Sequence, residues 1–172
     1  MCTESSEERR EERAPRRMQM STRRTADLAT DIGQLGVRVI IAVSFLLAVA
    51  DRLGMLGGPG DPGVSWGSWG AFREYTARLV PVPVDLLVDA AAVGATILET
   101  LLAVLLIAGF VTRLAATGAA ALTLVFGLSM FVFLGPLAPF RYPVFLFTAA
   151  AVLLAGLPRH RWSLDAALRA PV

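Results

Sequence analysis

The chain of 172 residues contains no lysine and no asparagine, and it has one cysteine and one histidine. Cys2 and His160 both lie in charged stretches near the ends of the chain. A single thiol excludes an internal disulfide, a CxxC redox pair and a zinc cluster. A single histidine outside the apolar segments excludes a bis-histidine haem and a Ser-His-Asp triad within a membrane. All 16 basic residues are arginine, as codon bias in a GC-rich genome produces, so Arg in place of Lys carries no functional message. Charge is scarce too. Asp, Glu, Lys and Arg make up 17% of the chain and the net charge is +2, which is no electrostatic footprint for nucleic acid.

What the chain has is apolar surface. Ala, Val, Ile, Leu, Met, Phe, Trp, Tyr and Cys account for 55% of it, above the share usual in soluble domains. The length allows one domain, and a domain of that size buries only a limited fraction of its surface. The excess has to face something other than water. A small polytopic membrane protein is the class this implies, and a soluble enzyme is nearly excluded.

Hydropathy divides the chain into three regions: a charged tail over 1–31, a transmembrane domain over 32–157 and a second tail over 158–172. The first tail holds EERREER at 7–13 and, with mixed charge and no apolar periodicity, reads as disordered. Met18 and Met20, followed by STRR, read as an ordinary start, which would make the first 17 or 19 residues an extension. Four apolar segments follow, over 32–50, 84–110, 114–134 and 142–157. All are near the roughly 17–25 residues a bilayer-spanning helix needs, the last being short. The fold expected is therefore all-α, a membrane bundle of four transmembrane helices. Short loops at 111–113 and 135–142 imply up-and-down connectivity. Small residues such as Gly94, Ala95, Gly118 and Ala119 would let the helices approach closely.

Arginine placement sets the orientation. The N-terminal tail, the Arg113 turn and the C-terminal tail hold seven, one and three arginines; the loops 51–83 and 135–142 hold three and one. This asymmetry puts both termini in the cytoplasm of a multi-pass cell-membrane protein. A competing reading takes VIIAVSFLLAVA, 39–50, as a signal-peptide core ending in Ala-Val-Ala before Asp51, with Arg23-Arg24 as a twin-arginine hint. The apolar stretch begins earlier, at Ile32, and Asp27 and Asp31 precede it, which favours a retained span. Cleavage would leave three spans and an outer N-terminus.

The outer loop opens with turn chemistry, GMLGGPGDPG at 54–63. Over 66–80, Trp66, Trp69, Phe72, Thr76 and Leu79 fall on one helical face, as in a short interfacial helix. The same face would also serve as a lid over a ligand, with Arg52, Asp89, Trp69 and Tyr75 as candidate ligand-binding residues. Charges inside the spans are costly there and usually paired. Counted from the cytoplasmic ends, Arg38 lies about 9 Å deep and Glu99 about 16 Å deep. A stretched arginine covers the difference, so an Arg38–Glu99 pair is expected and is the candidate catalytic site. Arg52 is expected to meet Asp85 or Asp89, which share a face at i and i+4. Each pair has a bland reading, in which it only sets helix register or Arg38 snorkels to the headgroups. No metal ligands gather anywhere.

An arginine in the first span, then DRLG, an aromatic outer segment ending in YT, and ETLLAVLLIAGFVTRLAA together resemble the DoxX family of bacterial four-helix membrane proteins. The RWSLDAAL tail, with Ser163, Leu164 and Asp165, is similar to the family's usual ending. The most specific element is the Glu99–Gly109–Thr112–Arg113 pattern. The resemblance implies an inner-membrane protein, since some relatives form part of thiosulfate:quinone oxidoreductases or are linked to complexes handling oxidative and thiol stress. Two functions follow from it. One is an accessory or scaffold subunit that binds a membrane redox partner and the lipid bilayer. The other is a quinone-interacting oxidoreductase subunit or small transporter that uses Glu99. A quinone is the one cofactor the resemblance leaves open, and a homo-oligomer is an open assembly. Direct thiol chemistry is not expected, because the bundle holds no cysteine.

Overall fold

A computed structural model of the chain describes residues 4–82, 84–158 and 160–168, with side chains from Arg24 onward. The described residues form seven helices: α1 (Glu4–Arg52), α2 (Trp69–Ala77), α3 (Asp85–Ala108), α4 (Thr112–Phe133), α5 (Ala138–Arg141), α6 (Val144–Gly156) and α7 (Leu164–Leu168). Helix α1 begins well before Ile32, where an irregular tail was expected. Glu and Arg, which dominate the stretch before it, are both good helix formers. At the other end α1 runs on through Asp51 to Arg52, past the expected boundary at Ala50.

Among the described residues, three helices are long and apolar enough to cross a membrane: α1 from Arg24 onward, α3 and α4. Helix α6 is equally apolar but has 13 residues, about 20 Å of helix against a hydrocarbon core of roughly 30 Å. Pro143 stands immediately before it as the N-cap and removes a backbone donor there. Outward faces carry exposed Ile40, Ile97, Val125 and Leu153, the pattern of a bundle that meets lipid rather than water.

Helices α1, α3, α4 and α6 pack in a ring in that order, with α2 laid across one end against α3 and α1. The solid part of the bundle lies toward the α3–α4 turn. It is built from Ile41, Ala42 and Phe45 of α1, Leu102, Ala103 and Leu106 of α3, Ala115, Ala116, Ala119 and Ala120 of α4, and Ala151 and Leu154 of α6. Alanine dominates because van der Waals packing, not water exclusion, joins helices in lipid, and small side chains let backbones close up. Two glycines of α4 continue this logic. A Cβ at Gly118 would stand 2.9 Å from Leu102, and one at Gly127 would stand 2.6 Å from the Phe145 ring.

Candidate functional site

The centre of the opposite half, next to α2, is an ion pair. Arg52 is 1% exposed and Glu99 6%. Their Nη2 and Oε2 atoms are 2.6 Å apart. Arg52 also donates Nε–H to the Ala48 carbonyl at 3.1 Å and Nη1–H to Thr96 Oγ1 at 2.9 Å. Its guanidinium lies over the Phe72 ring, 3.9 Å from the centroid, with Trp66 at 5.5 Å. The charge is thus answered by one carboxylate, two neutral acceptors and two aromatic faces, which is what a buried arginine requires.

The expected Arg38–Glu99 pair is not formed. Side chains on a helix lean toward its N-terminus. Arg52, at the C-terminal end of α1, therefore folds back along the helix to Glu99, whereas the same lean carries Arg38 away from Glu99. Arg38 donates Nη2–H to the Trp162 carbonyl at 3.0 Å, and its Nη1 lies 3.0 Å from where a Cβ of Gly109 would sit. About 21 Å of helix separates Arg38 from Arg52.

Arg52 does not meet Asp85 or Asp89 either. Arg73 of α2 takes both, through Nη2 to Asp85 Oδ1 at 2.7 Å and through Nε to Asp89 Oδ1. Its hydrogen bonds to Asp89 and then Asp85 raise its pKa further above the ordinary arginine value. Asp89 is thus part of a clamp that fastens α2 to the start of α3, and it lies outside the cavity described next.

Above the ion pair, α2 covers the end of the bundle with its aromatic face inward. Phe72 and Thr76 are buried; Trp66 meets Phe72 edge-on at 5.1 Å, and Trp69 lies 5.8 Å from Phe72. Trp66 is not part of the helix, as the spacing had suggested. Gly67 at φ +66° breaks the chain just before it, and Ser68 caps α2 by accepting from the Ala71 N–H at 3.3 Å. Asp51, which sequence reasoning treated only as a cleavage-site neighbour, pins this turn. Its carboxylate accepts from the N–H groups of Ser65, Trp66 and Gly67 at 3.0, 3.2 and 3.1 Å. Thr96 and Phe72 were likewise missed as partners of Arg52. The adjacency of Asp51 and Arg52 in DRLG was the available cue.

Beneath this roof lies a cavity of about 430 Å³. Phe45, Phe126, Met130 and Phe147 make apolar walls, Arg52 and Glu99 supply the buried polar edge, and Tyr75 and Tyr142 stand among the remaining lining residues. Burial pushes the Tyr75 phenol pKa up, with a smaller contribution from Tyr142. Of the residues expected to form a site, Glu99, Arg52 and Tyr75 therefore converge on this cavity; Trp69 packs on Phe72 without lining it, Trp66 lining it instead, and Arg38 and Asp89 are elsewhere. Within the described protein Glu99 accepts only through Oε2, so Oε1 is available to a donor in the cavity. Such a site offers a neutral polar edge on an apolar chamber. Among the described residues no group of His, Cys, Asp and Glu side chains could hold a metal ion.

A second polar cluster closes the other end, at the α3–α4 turn. The C-terminal segment folds back over the α3–α4 turn, where Asp165 accepts from the Val111 and Thr112 N–H groups at 2.8 and 2.7 Å. This supplies from a distance the cap that Val111 cannot give α4. Arg161 pairs with Asp31 at 3.0 Å, and Gln34 donates to the Arg161 carbonyl at 3.1 Å. Gly109, at φ +66°, is pressed against Ser163, whose Cβ would be 2.6 Å from any Cβ placed there. No protein-family model, no curated protein and no solved structure matches this chain.

Proposed function

We propose that this chain is an integral membrane protein similar to the DoxX family, with α6 as a fourth transmembrane helix and both termini in the cytoplasm. It serves as an accessory subunit of a membrane redox or thiol-stress complex and holds an amphipathic ligand, of the lipid or quinone class, in the outer cavity. The observation that carries this reading is the buried Arg52–Glu99 pair on an otherwise apolar chamber of about 430 Å³. Pockets of that size with few, well-placed polar groups are how proteins hold small amphipathic molecules. The ligand's tail packs on Phe126, Met130 and Phe147. Its head meets Glu99 Oε1 and the N–H groups that Arg52 has left over. Helix α2 lies at the outer interface and roofs the chamber.

A second reading rests on the same oxygen. Glu99 Oε1, lacking a protein donor, is placed to exchange a proton with a ligand, as expected of an oxidoreductase subunit or small transporter. The accessory reading is favoured because the chamber contains no histidine, cysteine or lysine. The test is to purify the full chain in mild detergent and identify copurified lipids, quinones and proteins by mass spectrometry. Ala48→Phe, which fills the chamber from α1, should lose the bound small molecule yet keep the fold. Equal recovery from both proteins, or no enrichment over the bulk lipid, would remove the ligand from the proposal.

A further inference from the structure

We propose that the inner rim of the bundle holds the phosphate of an anionic phospholipid between Arg113 and Arg161; this rests on the membrane reading above but not on the outer ligand. A second cavity, of about 480 Å³, lies between the start of α4 and the returning C-terminal segment. Arg113, Arg161 and His160 line it together with the apolar Val111, Leu114 and Leu157. Charged groups on one side and aliphatic groups on the other match a headgroup continued by its glycerol and upper acyl chains. Leu114 is 71% exposed and Trp162, on the adjacent strap, 54% exposed, so the surroundings face lipid as well. A tryptophan at this level is characteristic of the membrane–water boundary.

The charge here is not spent internally. Arg161 gives one nitrogen to Asp31, but its side chain is 66% exposed and retains open donors. The Arg113 guanidinium makes no ion pair or hydrogen bond among the described residues. Asp165, the acid in the wall, is already held by two backbone N–H groups of the α4 turn, and its charge also acts on buried Arg38. The helix-terminal anion position is thus filled from within, and an incoming phosphate is held by the two guanidinium forks, whose geometry suits it. Basic pockets between helices at the cytoplasmic face take lipid phosphates in this manner.

The experiment is native mass spectrometry of the full chain in detergent, titrated with phosphatidylglycerol or phosphatidylcholine, beside thermal unfolding with inorganic phosphate alone. Phosphatidylglycerol should be retained in preference to phosphatidylcholine. Arg113→Gln should cut that preference by about fivefold, the loss of one surface arginine's attraction. Because the Arg113 side chain makes no hydrogen bond or ion pair among the described residues, this variant keeps its fold; Arg161→Gln also releases Asp31 and is the secondary variant. Arg141→Gln, the same charge change at the opposite end, should leave retention unchanged. Equal retention of the two lipids, or a preference that survives Arg113→Gln, overturns the site. Stabilisation by inorganic phosphate as large as that by phosphatidylglycerol makes it a free-anion site and overturns the lipid assignment. Extraction of the chain from membranes by alkaline carbonate overturns the membrane reading itself, and this site with it.

Discussion

At the scale of single residues, the depth of a charge along a span was readable from the sequence, but its partner was not. Glu99 was recognisable as a costly intramembrane acid needing a counter-charge. Counting residues favoured Arg38, because it takes no account of the lean of side chains toward the helix N-terminus, which carries Arg52 to Glu99 and Arg38 away from it. The pairing makes a distinct prediction. Arg52→Leu or Glu99→Leu alone strands a buried charge and should destabilise by about 3–5 kcal/mol, whereas the double variant should recover much of that loss. Arg38→Leu combined with Glu99→Leu should instead be additive to within about 0.5 kcal/mol, as for separated sites. Thermal unfolding in detergent reads both cycles, and additivity for Arg52 with Glu99 would break the site. A spectroscopic check concerns Tyr75. In Tyr142→Phe, absorbance near 295 nm follows Tyr75 alone, and its midpoint should lie above the ordinary value of about 10. Since the folded state holds that proton more tightly, its contribution to stability is complete below pH 10 and lost as pH rises past it. A midpoint at the ordinary value would mean that Tyr75 is not part of a buried wall.

Elements were easier to place than their ends. The apolar segments expected over 84–110 and 114–134 became α3 and α4 with shifts of two residues or fewer at each end. Turn chemistry defeated the outer helix, because Trp66 matches its face by spacing yet lies beyond a glycine in the left-handed region. The same glycine has no room to be anything else. A Cβ at position 67 would come within 2.4 Å of the Gly58 carbonyl carbon. Gly67→Ala should therefore cost more than about 1 kcal/mol and loosen the roof. Hydrogen exchange of the α2 amides would register this as faster opening, and unaltered exchange would mean that the loop accommodates a methyl group elsewhere. The Arg73 clamp on Asp85 and Asp89 is exposed, so high salt should weaken it and quicken α2 exchange while α3 and α4 remain unchanged.

At the scale of the molecule, composition and hydropathy were enough for the class: the described residues form helices and no strand, and three of the helices are long and apolar enough to cross a membrane. The hollow half beneath α2 was invisible, because it depends on how residues from several helices surround a space beyond the alanine-packed end. If the arginine asymmetry sets orientation, reporter fusions at Val172 and within Gly57–Gly63 should report opposite sides of the membrane; the same side for both would refute the proposed topology. The clasp at the α3–α4 turn was hidden for another reason: it joins Asp165 to backbone groups 53 and 54 positions earlier. Asp165→Ala should destabilise by about 0.5–2 kcal/mol through loss of that cap. There is also an order of events in this contact. A chain made from its N-terminus delivers α4 to the membrane before the residue that caps it exists. Until residue 165 has followed, the first N–H groups of α4 have only water to satisfy them. The return of residues 160–168 is thus a later step than the making of α4, and a chain shortened ahead of Asp165 would be left with its α3–α4 hairpin unlatched.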